Sequence, residues 1–448
     1  MIIIFKTDKE ELTIEEISEF IKKHKVEATR YIKLQNYYEG KHDILQNKRA
    51  EGLPNNLIVN PYPKYITDML TGYFVGQPIS YTSTDSNLME EIQSIFDYSD
   101  EQEENLELAK MCSIKGKAFE LLYRDEDAQI RFNEIDPTEM FVIYDMTINP
   151  NIKFAVRYYS VGEGQDSVNY IELYDKYTCK VYRSENGNYS LVDETIHTFN
   201  DVPVIEYINN KEEQGDFEQV ISLIDAYNKS QSNTLNDMDQ FTDAYLILVN
   251  MSGTDSDRLE ELKQDKVMLL DEDGDAKWLI KDINDAWVEH YKDRVRRDIH
   301  KFSYTPDMQD EAFGNNLSGV SIRYKILAME QIRSNKERKF KKGLQRRIEL
   351  ICNSLSLQKN IDIFTDIEIK FSNTLPQNIY ELSQTIVNLA PFLSKETLIS
   401  QLPFVENAQA EVEKKEEEET NSLADGYDFS HILGDTNDRK EAEETDEA

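Results

Sequence analysis

Cysteine is scarce in this 448-residue chain: Cys112, Cys179 and Cys352 stand far apart and in no CxxC pair. That excludes a disulfide framework and a thiolate zinc site, and it fits a reducing compartment. Long apolar runs are missing too. None approaches the roughly 20 residues needed to span a bilayer, and Met1 to Phe5 is too short for a signal-peptide core. A soluble protein is expected, intracellular at synthesis and without a membrane partner. Positive charge is in deficit, with 50 Lys and Arg against 86 Asp and Glu, a net of −36. Such a surface repels DNA and anionic lipid, which excludes coating nucleic acid through bulk charge.

Catalytic motifs are also lacking. There is no GxxxxGK[ST] loop. The nearest fragment, Gly116-Lys117-Ala118, has Met111 in place of the first glycine and alanine in place of the hydroxyl. No ATP-driven motor is assigned. HExxH is absent, and the six histidines show no metal-ligand spacing. His290 and His300 lie nearly three turns apart on one predicted helix, too far to share an ion, and read as surface residues. Asp271-Glu272-Asp273-Gly274-Asp275 looks like a calcium loop at a glance. Placing Gly274 sixth, however, puts Leu269 and Ile280 where carboxylates are required, so this is a turn. The expected cofactor is none, and the chain is not expected to be an enzyme.

What is present is material for a core: 39% apolar and 10% aromatic residues, including 25 Tyr and 19 Phe. The length suits about three average domains or one large subdivided one. Spacing predicts a helix from Thr13 to about Tyr38, then one from Pro63 to about Phe74. From Lys117 to Asn209 the period becomes two, through Phe119-Leu121-Tyr123, Phe141-Ile143 and Phe154-Val156-Tyr158, which predicts an antiparallel sheet. Asp216 to about Val249 returns to helix. Val267 to Leu270 and Trp278 to Ile280 read as a hairpin across Gly274. A helix carrying Trp287, Tyr291, Val295 and Ile299 follows, then a loop from Tyr304 to Leu317. Ser318 to Leu355 reads as one helix of about 57 Å, with a strand at Ile367 to Phe371 and two or three helices broken at Pro391 and Pro403.

Charge is uneven along this order. Residues 411–448 hold 15 acidic side chains against Lys414, Lys415, Arg439 and Lys440, which predicts a frayed helix and then a disordered tail. Trp287 to Arg347 holds 15 Lys or Arg against 8 Asp or Glu, the one basic island. Lys292, Arg294, Arg296, Arg297 and Lys301 lie off the apolar stripe of their helix. Arg333, Lys336, Arg338, Lys339, Lys341, Lys342, Arg346 and Arg347 lie on the long one. Such cations can meet phosphates, or a partner's acidic surface.

Several stretches together resemble one family. They are Tyr31-Ile32-Lys33-Leu34-Gln35-Asn36-Tyr37-Tyr38-Glu39-Gly40, then Asn55-Asn56-Leu57-Ile58-Val59-Asn60-Pro61-Tyr62 with Gly72-Tyr73-Phe74-Val75-Gly76-Gln77-Pro78-Ile79. Tyr227-Asn228-Lys229-Ser230-Gln231-Ser232-Asn233 and Ser318-Gly319-Val320-Ser321-Ile322-Arg323-Tyr324-Lys325 follow in order. The chain is similar to portal (head–tail connector) proteins of tailed bacteriophages, in particular those of long-tailed phages of Gram-positive hosts. The resemblance implies an α+β subunit with a sheet-containing wing, two stem helices, a small α/β clip, a long wing helix and a helical crown. Carried onto this chain, the wing is 1–215 and 318–375, the stem helices are 216–250 and 284–303, and the clip is 251–283. The tunnel loop is 304–317, the crown 376–413 and an acidic disordered tail 414–448.

The implied role is a ring of about twelve subunits at one capsid vertex, through which double-stranded DNA is packaged and ejected. Implied partners are terminase, head-completion or adaptor proteins, and major capsid and scaffolding proteins. The implied location is the virion, after assembly in the host cytoplasm. Candidate channel residues are Lys292, Arg294, Arg296, Arg297, Lys301, Tyr304, Thr305, Asp310, Phe313, Asn315 and Asn316. Candidate partner contacts of the clip are Asp271, Asp273, Asp275 and Trp278. The rival readings are a DNA-processing enzyme of the packaging apparatus, nuclease or ATPase, and another structural ring or adaptor of the virion. Two further expectations follow. Trp287, Tyr291, Val295 and the Ile322–Ile351 stripe bury partly against neighbouring copies, and the segment from Lys415 onward is mobile.

Overall fold

A computed structural model describes residues 4–51, 53–162, 164–185, 188–241, 245–249, 275–279, 285–308, 324, 326–355, 366–372, 379–402, 405 and 408–425. The chain divides into two compact units, Met1–Ile79 with Ser83–Thr374, and Ser80–Thr82 with Leu375–Ala448. The structure is α+β.

In the larger unit β1 (Phe5–Lys6) precedes α1 (Ile14–Tyr38). A capping box starts this helix: the Thr13 side chain accepts from the Glu16 N–H, and Glu16 accepts from the Thr13 N–H at 3.1 Å. Next comes α2 (Tyr62–Val75), with Pro63 in its first turn, where a missing N–H costs nothing. After β2 (Ile79–Thr82), α3 (Ser86–Tyr98) is capped by Asp85 and α4 (Glu101–Lys115) follows. Periodicity does not mark α4, because its last turns are buried on several sides and its apolar residues form no single stripe.

The strands fall where period two predicts them. They are β3 (Lys117–Arg124), β4 (Ile130–Ile135), β5 (Met140–Tyr144), β6 (Ile152–Val161), β7 (Val168–Tyr174), β8 (Thr178–Glu185), β9 (Asn188–Ile196) and β10 (Val204–Ile208). One sheet runs β1-β5-β6-β7-β8-β9, antiparallel except for β1 against β5, and a second runs β10-β3-β4. Alternation in β5, β6 and β7 sends Phe141, Ile143, Phe154, Val156, Ile171 and Leu173 to a face covered by Ile17 and Ile21 of α1. Met140, Val142 and Ala155 go to the other face, against Phe119, Leu121 and Val204 of the smaller sheet.

The second half departs from the reading in four places. First, α5 (Ile221–Phe241) stops short of the predicted end, and Tyr245–Val249 is a strand, β11, antiparallel to β12 (Asp275–Leu279). An unbroken Tyr-Leu-Ile-Leu-Val run suits helix and strand patterns alike, and its β-propensity prevails. The proposed hairpin partner, Val267 to Leu270, and the turn at 271–274 lie outside the described residues. Second, after α6 (Asp285–Phe302), the long helix α7 runs Leu327–Ser354, 28 residues or about 42 Å, and starts from a cap at Ile326; residues 318–323 and 325 of the predicted helix lie outside the described residues. Third, its apolar stripe is covered within the chain, since Met329, Phe340, Leu344, Ile348 and Ile351 are all buried. These residues, and likewise Val295 of α6 at 5% exposure, are buried by their own chain and not, as expected, by neighbouring copies. Fourth, in the smaller unit α8 (Ile379–Leu389) and α9 (Lys395–Ile399) precede α10 (Ala408–Asp425), so residues 414–425 are helical rather than disordered. The rest of the tail lies outside the described residues. The strand β13 (Glu368–Phe371) is where the sequence places it.

Two devices fix the helices. At Gly343 of α7 an added β-carbon would stand 2.2 Å from the Tyr207 ring, so glycine here lets β10 pack directly on the helix. The second device ties α5 to the segment before α2. The Asn56 N–H donates to Asn236 Oδ1 at 2.6 Å, the Ile58 N–H to Ser232 Oγ at 2.8 Å, and the Asn60 N–H to Asn228 Oδ1 at 2.8 Å. Residues four apart on the helix thus serve N–H groups two apart on the segment. Asn228 passes the network on, donating to Nδ1 of His42, whose Nε2 donates to the Tyr37 carbonyl. Ser232→Ala is expected to cost about 1–3 kcal/mol, because it leaves the Ile58 N–H without its acceptor. A urea midpoint equal to wild type would show that water replaces the hydroxyl without loss.

Candidate functional site

The basic island separates into two unlike halves. On α7 the cations mostly serve the fold. Arg347 is fully buried, with Nη2 on Glu120 at 2.5 Å, Nη1 on Glu101 at 3.2 Å, and its guanidinium over the Phe132 ring. Lys336 is buried against Asp216, and Arg346 reaches Asp201 at 2.6 Å. Arg333 pairs with Glu330 at 2.9 Å, and Lys341 donates to the Ile369 carbonyl at 3.1 Å. The exposed cations of this helix are Arg338 and Lys342. Most of the cations of α7 are therefore spent on pairing within the chain rather than presented to solvent or a partner.

On α6 the cations face outward with one exception. Val295 and Ile299 are buried where the helix packs on α5, which leaves Arg294, Arg296, Arg297 and Lys301 exposed. Lys292 is corrected: it is only 7% exposed, turned inward and paired with Glu289 at 2.9 Å. Arg296 pairs with Asp293 at 3.2 Å, and Arg294 and Arg297 share an open groove with His290, Asp293 and Asp298. Two carboxylates, Asp293 and Asp298, stand among these four cations and lower the positive charge of the face without cancelling it. Trp287 and Tyr291 stack with ring planes 13° apart and remain exposed, as does Phe302.

The C-terminus of α6 carries an arrangement that composition does not reveal. His300 is corrected from a surface residue to a half-buried one. Tyr62 and Tyr65 of α2 meet its ring edge-on at 5.8 and 5.6 Å. Burial pushes its pKa below the usual value, against the opposing pull of Asp307 and the Thr305 carbonyl. Nδ1 lies 3.3 Å from that carbonyl, which can only accept, so Nδ1 carries the proton. Tyr65 donates to the Pro306 carbonyl at 2.8 Å. Thr305 is also corrected as a contact residue: it is buried, its hydroxyl 2.6 Å from that of Ser303. Tyr304 is exposed. A cleft lined by Asn60, Tyr62, Tyr65, Arg296, His300 and Asp307 results. Its sequence signal is the pair of tyrosines three apart in the first turn of α2, readable only once α2 and α6 are known to touch.

Asp310, Phe313, Asn315 and Asn316 lie outside the described residues, as do Asp271 and Asp273 of the clip set. Asp275 and Trp278 lie on β12, opposite Val249 and Leu246 of β11.

Among the described residues, no group of three or more His, Cys, Asp and Glu is placed to hold a metal ion. Burial pushes Cys179 up to about 12 and Cys352 to about 11, so neither offers a thiolate. Lys117 is buried beside Glu213 at 2.6 Å and Glu206 at 3.4 Å. Burial opposes its charge, yet Glu206, Tyr31, Glu213 and Glu27 together hold its pKa above the usual value. This cluster joins the two sheets and α1, a structural position. Among the described residues no helix is long and apolar enough to cross a membrane.

Comparison with known proteins bears on what such a chain is. It is 26% identical over 421 residues to the "Portal protein" of Bacillus phage SPP1, covering 88% of this chain and 83% of that one. It is 22% identical over 438 residues to the "Portal protein" of Clostridium phage phiCD119, covering 90% and 95%. Among solved structures, "Neck of empty GTA particle computed with C6 symmetry" aligns with 75% of this chain and 88% of that one, at 12% identity and a TM-score of 0.46. The profile of the family "Phage portal protein, SPP1 Gp6-like" matches residues 17–423. A match spanning nearly the whole chain includes β2 to β13, α5, α6 and α7. The chain therefore belongs to this phage portal family, and it is a structural component of a phage particle rather than an enzyme.

Proposed function

We propose that the chain assembles into a ring of about twelve copies at one vertex of the capsid. Double-stranded DNA passes through this ring, inward during packaging and outward at ejection. The wing is 1–215 with 318–375, α5 and α6 belong to the stem, and β11 with 251–283 belongs to the clip. The tunnel loop is 304–317, and the smaller unit supplies the crown. Terminase and then head-completion proteins dock on the ring, capsid and scaffolding proteins surround it, and assembly takes place in the host cytoplasm.

The observation that carries this reading is the character of α6. A conduit must confine DNA without gripping it, since each neutralised phosphate adds salt-dependent affinity. The exposed face of α6 sets Arg294, Arg296, Arg297 and Lys301 against Asp293 and Asp298, a small net positive charge rather than a dense basic strip, so the contact it offers is weak. Trp287, Tyr291 and Phe302, left 66%, 38% and 51% exposed on one helix, are apolar surface suited to a neighbouring copy. Electron microscopy of the purified chain tests the proposal. End-on views are expected to show closed rings with an open centre. A monodisperse 52.3 kDa monomer at micromolar concentration and physiological salt would rule it out.

A further inference from the structure

The smaller unit has little core of its own. Among its described residues one apolar side chain is buried, Leu398 of α9. Val387, Leu389, Phe392 and Leu393 face solvent instead, at 70%, 40%, 80% and 43% exposure. They lie on the last turn of α8 and the turn that leads into α9. That turn is held in place: the N–H groups of Phe392 and Leu393 both donate to the Leu389 carbonyl, at 2.9 and 3.2 Å. Ser394 then caps α9 by accepting from the Thr397 N–H at 3.3 Å. In a chain with 30% charged residues, the stretch from Leu382 to Ser394 carries no charge at all. An ordered, uncharged apolar patch of this kind marks a surface that something covers.

The sequence beyond α10 supplies the cover. α10 packs on α9 and ends at Asp425, and residues 426–448 follow. Their large apolar side chains are bunched, with Tyr427, Phe429, Ile432 and Leu433 inside seven residues. Residues 434–448 hold seven carboxylates and nothing apolar larger than alanine. Gly426 precedes the cluster, and glycine after a helix is the residue that lets the chain turn back. Residues 426–433 span about 26 Å if extended at about 3.3 Å each. The 18 residues of α10 rise about 27 Å. The cluster therefore reaches α9, and the patch beside it, from whichever part of α10 meets them. Attachment to the same unit holds it there at about millimolar effective concentration, which favours it over a free partner.

We propose that the segment Tyr427–Leu433 folds back and covers the apolar patch formed by α8 and the turn after it. The acidic residues 434–448 stay in solvent. The mobile tail expected from composition then starts at about residue 434 and not at Lys415.

The test uses the full-length chain and two readouts. In the first, chymotrypsin cleavage after Tyr427 and Phe429 is followed by mass spectrometry. It is expected to be about tenfold faster in Phe392→Asp than in wild type, because cutting tracks the open fraction. Ile432→Asp combined with Leu433→Asp is expected to give the same acceleration without touching α8 or α9, so a folding defect in the first variant does not decide the matter. In the second, Phe392→Cys is combined in turn with Tyr427→Cys, Phe429→Cys and Leu433→Cys. Mild oxidation is expected to link at least one pair within a single chain; Cys112 and Cys352 are buried and Cys179 half-buried, so they compete little. Equal cleavage in wild type and both acidic variants overturns the proposal. Linkage between chains overturns it too, by assigning the patch to another copy's tail, as does linkage at none of the three positions. Loss of assembly in Phe392→Asp with cleavage unchanged overturns it in favour of a neighbouring copy as the cover.

Discussion

Arg347→Ala is expected to destabilise the larger unit by about 3–5 kcal/mol, the typical result of breaking a buried ion pair on one side only. Glu120 and Glu101 are buried and face the guanidinium from β3 and α4. Tyr207 also donates to Glu120 at 3.0 Å, so α7, both β10 and β3, and α4 meet at one charge. Removing the arginine leaves two carboxylates in a low-dielectric site, and the fold must break or take up protons. Against a total stability of about 5–15 kcal/mol for an ordinary domain, that is a large fraction. Urea unfolding should show a midpoint far below wild type, or no soluble protein at all. Arg347→Lys is expected to recover only part of the loss, since an ammonium cannot span both carboxylates as the planar fork does. Arg347→Met combined with Glu120→Gln and Glu101→Gln is expected to be more stable than Arg347→Ala, because no charge is left unpaired. If Arg347→Ala unfolds at the wild-type midpoint, the cluster contributes nothing.

The second large effect concerns DNA movement. Between Pro306 and Leu317 the sequence has no lysine or arginine. Changing Asn315 and Asn316 to lysine adds two cations per copy, repeated around the ring. On the proposed channel reading, counterion release then adds affinity for the passing duplex, and that affinity rises steeply as salt falls. Rings are expected to assemble normally, while packaging slows by about tenfold or arrests at 50 mM salt and partly recovers at 200 mM. Shortening the loop by several residues is likewise expected to spare assembly and impair DNA passage. Full-length packaging at wild-type rate in low salt by both variants would remove the loop from the channel.

Local signals in the sequence account for α1, α2 and the sheets. Thr13 with Glu16 announces a helix start, and strict alternation in β5 to β7 announces strands whose two faces meet different layers. What stayed illegible depends on distance along the chain. Nothing near Arg347 distinguishes it from Arg346 or Lys342, because the carboxylates that bury it stand 227 and 246 residues away. Lys292 is hidden in the same sense. Helical spacing puts it beside Tyr291 and off the apolar stripe, and only the packing of α6 on α5 turns it inward. At Tyr245–Val249 the five residues fit either period, and pairing with β12 decides. Two of the stretches that carry the family resemblance are structural: Asn56, Asn60, Asn228 and Ser232 all belong to the ties between α5 and the segment before α2.

Those ties work as a vernier. Successive rungs advance about 6.0 Å along the helix, four residues at 1.5 Å, and about 6.6 Å along an extended segment, two residues at 3.3 Å. The mismatch of roughly 0.6 Å per rung stays within hydrogen-bond tolerance over three rungs and outgrows it over many more. The scale is thus self-limiting, and it measures length rather than identity. A substitution at Leu57 or Val59 leaves every rung in place, whereas inserting one residue between Asn56 and Asn60 turns at least one N–H away from its acceptor. This stretch can therefore drift in composition between relatives, but it cannot change its count.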